Sequence, residues 1–206
     1  MSLALQEAII AKDTERAVTL LYENEDIKRN INKQLYWSEY KNKVTSLYLS
    51  CDLGLEHVVE ILLQIPEIDV NYEADRGLDT PLHAASSWGF AGIVKLLISV
   101  KAHCIPNILY STPTQRAAAN GHHNALDLLL NYDKKLINAK TLNMTPLHWA
   151  CKHNHLKCVE TLVWHGADIT LTNSMNQTAL ELAEEKQHRE IARFLRGPES
   201  DEVSGS

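Results

Sequence analysis

The sequence predicts an all-α solenoid of stacked helix–turn–helix units with β-hairpin-like links. Three observations carry that prediction: a ten-residue phrase recurs at a near-constant period, an amphipathic stretch with helical spacing follows it, and a short polar link closes each unit. The phrase reads TSLYLSCDLG from Thr45, TPLHAASSWG from Thr80, STPTQRAAANG around Thr112, TPLHWACKHN from Thr145 and TALELAEEKQ from Thr178. The threonines are spaced 35, 32, 33 and 33 residues apart. A degenerate first copy, LALQEAIIAKD, aligns Leu5 with Leu82 and Ala8 with Ala85, and puts Leu3 at the threonine position.

Each part of the phrase has a physical reason. Thr45, Thr80, Thr112, Thr145 and Thr178 stand where a side-chain oxygen can cap the first helix. Pro81, Pro113 and Pro146 take the first helical position, where a missing N–H costs nothing. Ala85, Ala117, Ala150 and Ala183 let neighbouring helices approach. Gly54, Gly89 and Gly121, and Asn154 in their place, mark where the first helix stops. The second helices are read over 57–64, 92–99, 124–131 and 157–164, and the links over 66–79 and 166–177. One unit alone would expose its apolar face; stacking buries it.

The motif TPLHxA, present at 80–85 and 145–150, and GADIT at 166–170 resemble the ankyrin repeat family over residues 3–196. The resemblance implies an N-terminal capping repeat with a long insertion (1–37), repeats over 38–73, 74–106, 107–138 and 139–171, and a C-terminal capping repeat (172–196). Residues 197–206 read as a disordered acidic tail. Two departures stand out. The insertion at 24–43 predicts a longer loop or an added short helix, and the link at 107–112 lacks its glycine and is one residue short.

Composition narrows the function. The net charge of −6 and a pI near 5.9 argue against direct nucleic-acid contact. The N-terminal stretch lacks a basic region and a cleavage site, and no apolar run has the length of a membrane span. Cys51, Cys104, Cys151 and Cys158 form no disulfide framework, which fits a reduced cytoplasmic or nuclear compartment. His148, Cys151, His153, His155 and Cys158 lie within fourteen residues and invite a metal or Cys/His reading. The repeat register assigns four of them to scaffold positions and leaves His153 free. With no nucleotide, hydrolase or zincin motif in the chain, no enzyme activity, no cofactor, no metal and no small-molecule substrate are expected.

In the family, partners commonly bind a concave face built from link tips and exposed first-helix positions. The resemblance therefore implies a protein or peptide partner bound by Leu53, Arg76, Asp79, Ser87, Trp88, Leu109, Tyr110, Asn120, Leu142, Met144, Lys152 and His153, on a chain that is monomeric by itself. Leu53, Trp88, Leu109, Tyr110, Leu142 and Met144 are large and apolar where solvent alone favours polar residues, and Tyr36, Trp37 and Tyr40 of the insertion could extend them. The competing expectation is that 108–110 folds inward and that Trp88 packs on the next repeat. Leu63 with Asp69, Val70 and Asn71 resembles the pattern that a cellular asparaginyl hydroxylase modifies, against the plainer role of Asn71 as a link asparagine. Residues 142–155 are also similar to one repeat of the GA-binding protein beta subunit, which implies a transcriptional cofactor as one alternative; a microbial effector engaging host proteins is another.

Overall fold

The computed structural model describes residues 2–33, 35–37, 42–74 and 79–197, which form two compact units, Met1–Leu109 and Tyr110–Ser206. The predicted tail beyond Gly197 and Tyr40 of the insertion lie outside the described residues.

In the first unit, α1 (Ser2–Ile10) pairs with α2 (Thr14–Glu23). The insertion follows as a short helix α3 (Glu25–Arg29) and an antiparallel ribbon of β1 (Leu35–Trp37) and β2 (Asn42–Val44), with Leu35 opposite Val44. Loop or helix was therefore too simple an expectation, because the insertion holds a helix and a ribbon. Asn24 caps α3 through two backbone N–H groups, at 3.1 Å from Asp26 and 3.2 Å from Ile27. Then come α4 (Ser46–Asp52) with α5 (Glu56–Leu62), and α6 (Pro81–Trp88) with α7 (Ala91–Ser99). Among first helices α4 packs on α1 and α6, and among second helices α5 packs on α2 and α7.

The second unit repeats this plan with α8 (Pro113–Ala119) and α9 (His123–Tyr132), a 3-10 turn at Lys134–Asn138, α10 (Pro146–Lys152) and α11 (Leu156–Trp164), and α12 (Ala179–Glu185) and α13 (Arg189–Arg196). Here α10 lies between α8 and α12, and α11 contacts α9 and α13.

Local chemistry sets these boundaries. All five threonines cap their helices, each accepting from the backbone N–H three residues on. In four of them the third helical residue (His83, Gln115, His148 or Glu181) reaches back to the cap backbone, closing a capping box. Lys12, Gly54, Gly89, Gly121, Asn154 and Gln187, in corresponding turns between paired helices, all have positive φ, between 56° and 81°. The turn geometry is thus kept where the glycine is not. Leu82, Ala85, Leu97, Leu126, Leu129, Ala150 and Leu162 are fully buried, and each leucine contributes about 1.5–3 kcal/mol. Asparagines lace successive links: Asn32 Oδ1 accepts from Asp69 N–H at 2.8 Å and Asn71 Oδ1 from His103 N–H at 2.8 Å, and in the second unit Asn138 Oδ1 accepts from Asp168 N–H at 3.0 Å. Hairpin-like tips appear as bridges between Thr141 and Met144 and between Thr172 and Thr178.

Candidate interaction face

In the first unit, the end of α4 and the end of α6 meet at Trp88. Its indole is 59% exposed, and its Nε1–H donates to Asp52 Oδ1 at 2.8 Å. This bond ties the side chain back to the preceding repeat. Leu53 and Ser87 are half-buried beside it. At the link, Asn107 donates to the Asp79 carboxylate and accepts from Leu109 N–H at 3.0 Å, so a side chain organises this short loop. Ile108 and Leu109 are exposed, as is Tyr110 at the start of the second unit, which overturns the inward-folding alternative. Arg76 lies outside the described residues, and the side chains of Tyr36 and Trp37 are likewise not described.

In the second unit the tip between Thr141 and Met144 is a two-residue hairpin. Thr141 N–H donates to Met144 O at 3.1 Å and Met144 N–H returns to Thr141 O at 2.9 Å. Leu142 and Asn143 both take positive φ, 50° and 58°, a geometry that favours asparagine or glycine. Leu142 is nevertheless a leucine and is 62% exposed, and Tyr110 has φ 54° at 65% exposure. Met144 is half-buried, so it belongs less to the surface than its sequence position implied.

Behind that tip, the end of α10 builds an aromatic shelf. His153 stacks parallel to Trp149 (5.9 Å between centroids, 6° between planes), His155 continues the stack at 6.4 Å, and Lys152 Nζ lies 4.9 Å from the Trp149 ring centre. Burial against the indole, and then the charge of Lys152, hold His153 below the ordinary imidazole pKa. Asn120, exposed at the end of α8, and Lys152 and His153 are thus open. Sequence reasoning missed Trp149. The available signal was its place four residues after Thr145, where Ala84 and Arg116 show the register to vary.

The remaining histidines and cysteines of the cluster serve the scaffold. His148 is buried between Thr145 and the carbonyl of Gln177, and His155 Nε2–H donates to Ala119 O at 2.9 Å. Burial pushes the thiols of Cys151 and Cys158 up to about 12 and raises that of Cys51 well above the usual range, so none of them is a nucleophile at neutral pH. Among the described residues no group of three or more His, Cys, Asp or Glu is placed to hold a metal ion. Asn71 accepts from His103 N–H, and its own N–H donates to Asp69 Oδ1 at 3.0 Å, the geometry of a link asparagine. No helix among the described residues is long and apolar enough to cross a membrane.

Paired helices with threonine caps, left-handed turns and hairpin tips define a helical repeat protein whose variable side chains gather at tips and helix ends. The family described as "Ankyrin repeats (3 copies)" matches residues 5–108 and 114–203, and the chain belongs to the ankyrin repeat family. Members of this family generally act in protein–protein interaction. Similar proteins include an ankyrin repeat and KH domain-containing protein of Caenorhabditis briggsae (31% identical over 77% of this chain) and the Target of rapamycin complex 2 subunit AVO2 of Saccharomyces cerevisiae (29% over 61%). Human neurogenic locus notch homolog protein 1 is 28% identical over 68%. The matched stretch spans 6%, 30% and 5% of those proteins, respectively.

Proposed function

We propose that the chain is a non-enzymatic interaction module that holds a protein or peptide partner through the first-helix ends and link tips of each unit. In the first unit the contact residues are Leu53, Asp79, Ser87, Trp88 and Leu109; in the second they are Tyr110, Asn120, Leu142, Met144, Lys152 and His153. The observation that carries this reading is the chemistry of the tips. A bulky residue in the left-handed region costs roughly 1 kcal/mol relative to glycine or asparagine, and exposing it adds no burial. Tyr110 and Leu142 both accept that cost, which the fold does not require. Trp88, fixed by Asp52, and His153, fixed by Trp149, are aromatic anchors that lose little freedom on binding.

The test uses a partner recovered by the intact chain and titrated calorimetrically. Tyr110→Asn and Leu142→Asn are expected to weaken binding at least about ten-fold while leaving stability unchanged or higher by about 1 kcal/mol. Lys95→Ala, an exposed change on α7, is the control and is expected to do nothing. Unchanged affinity in Leu142→Asn, Tyr110→Asn and Trp88→Ala alike would remove these positions from the interaction.

A further inference from the structure

Trp164 is the most exposed large apolar side chain among the described residues, at 79%. It ends α11 at a register where the three preceding units carry Gln64, Ser99 and Asn131, all polar and exposed, and where only the first unit has another exposed aromatic, Tyr22. Stacking of repeats therefore does not account for an indole there. The ring is also held in place. The His165 imidazole, itself almost fully buried, meets it edge-on at 4.7 Å and 88°. That imidazole donates through Nε2–H to Asp127 Oδ1 at 2.7 Å, and Asp127 Oδ2 accepts from Asn131 Nδ2–H at 3.1 Å. A carboxylate on α9 thus fixes the histidine, and the histidine fixes the indole.

Beside this ring an open groove of about 520 Å³ is lined by Asp127, Glu160, Thr161, Val163, Trp164 and Phe194. The charged groups in its wall are both carboxylates. Of the nearby cations, Lys157 pairs with Glu160 at 3.1 Å from an exposed position, and Arg193 precedes Phe194 on α13. An exposed pair of the Lys157–Glu160 kind contributes little, so an incoming cation can replace it. The groove disfavours an anion through its two carboxylates and leaves them unanswered by a purely apolar guest. A guanidinium suits it: its plane stacks on an indole face, and its fork of donors matches carboxylates.

We propose that this groove binds an arginine side chain of a protein partner. The guanidinium lies on Trp164 and donates to Asp127 and Glu160, and an apolar neighbour of the arginine rests on Val163 and Phe194. This site is on the second-helix row of the second unit and is independent of the first-helix face.

The experiment follows the indole N–H resonances of the full chain by ¹H–¹⁵N NMR during titration with the capped tripeptide acetyl-Leu-Arg-Leu-amide. The chain has four tryptophans, and Trp164→Phe identifies the relevant signal. The expected result is a saturable shift of the Trp164 resonance that the citrulline analogue, isosteric but uncharged, reproduces at least about ten-fold more weakly. The lysine analogue should fall between them, and Glu160→Gln should weaken the arginine peptide about three-fold or more. Glu160→Gln leaves the Asp127–His165 support intact, so it reads the charge balance of the groove wall, the release of Lys157 included. Trp88→Ala should leave this titration unchanged, whatever it does to the first-helix face. The proposal is overturned by equal shifts with the citrulline peptide, by indifference to Glu160→Gln, or by no saturable shift at Trp164.

Discussion

His148 offers a direct measure of what a capping-box residue contributes here, because the neighbouring unit supplies its own control. Thr145 N–H and Oγ1 face His148 Nδ1 at 3.4 and 2.8 Å, and Nε2 lies 3.1 Å from Gln177 O. This network assigns the neutral tautomer with the proton on Nε2. In His148→Ala the buried Thr145 N–H loses its partner, at about 1–3 kcal/mol. The lost bond to Gln177 O adds less, about 0.5–1.5 kcal/mol, since Asn173 N–H still donates to that carbonyl at 2.8 Å. The void left by the ring adds about 1–2 kcal/mol, for a total near 3–6 kcal/mol. Gln115 makes the same contacts one unit earlier: Oε1 accepts from Thr112 N–H at 3.1 Å, and Nε2–H donates to Met144 O at 3.4 Å. His148→Gln should therefore stay within about 1 kcal/mol of wild type.

The two variants separate further with pH. Burial, and secondarily Lys140, lower the pKa of His148, against the raising influence of the Gln177 carbonyl. Below the ordinary imidazole pKa of about 6.5 the unfolded chain binds a proton that the folded chain resists. This contribution to stability is complete above pH 6.5 and is lost as pH falls below it. His148→Gln should flatten the fall between pH 7.5 and 5.5, with His153, shifted in the same direction, supplying part of what remains. The assay is urea unfolding followed by tryptophan fluorescence in a Trp37→Phe, Trp88→Phe background, so that the signal comes from the second unit. Equal damage from His148→Gln and His148→Ala, or a pH slope indifferent to His148→Gln, would refute the reasoning.

Two further outcomes follow from the turns and the thiols. Gly121 has φ +81°, and a Cβ there would lie 2.6 Å from His155 Nδ1, on a ring already bonded to Ala119 O; Gly121→Ala should cost about 2–4 kcal/mol, and a wild-type melting temperature would count against the contact. With Cys51, Cys151 and Cys158 buried and their pKa values raised, a thiol reagent at pH 8 should modify Cys104 quickly and the other three only on unfolding, so several fast thiols in the folded chain would contradict their burial.

The scaffold was legible because each recurring residue solves a local problem that the chain itself poses. A threonine before a proline caps, and a glycine nine residues later permits the left-handed turn; neither depends on distant partners. The insertion was less legible, since its polar, charged stretch carries no period to distinguish a ribbon from a loop. At 107–112 the missing glycine hid the fact that Asn107 takes over as organiser and Tyr110 adopts the left-handed conformation. The shelf of Trp149, His153 and Lys152 was half visible: the sequence placed Lys152 and His153 at variable positions, but which rings stack on them depends on helix rotation. Trp164 could have been found by comparing second-helix ends, where the three preceding units carry Gln64, Ser99 and Asn131.

That comparison points to how a repeat protein of this kind carries specific information. Stacking fixes the same residue classes in every unit, so a position that obeys its register says only that the fold is maintained. Information enters where a residue contradicts both its register and its local energetics. Leu142 occupies a backbone conformation suited to asparagine, Tyr110 does the same in the next tip upstream, and Trp164 occupies a surface position suited to a polar side chain. None of the three gains burial that could compensate within its own unit. On the proposed reading the compensation comes from a partner, and it differs between the two faces. An open tip of leucine and tyrosine gains from apolar contact, whereas an indole beside Asp127 and Glu160 gains from a cation. A partner that satisfied one face would leave the other free, so the two faces can be separated by substitution without disturbing the stack that presents them.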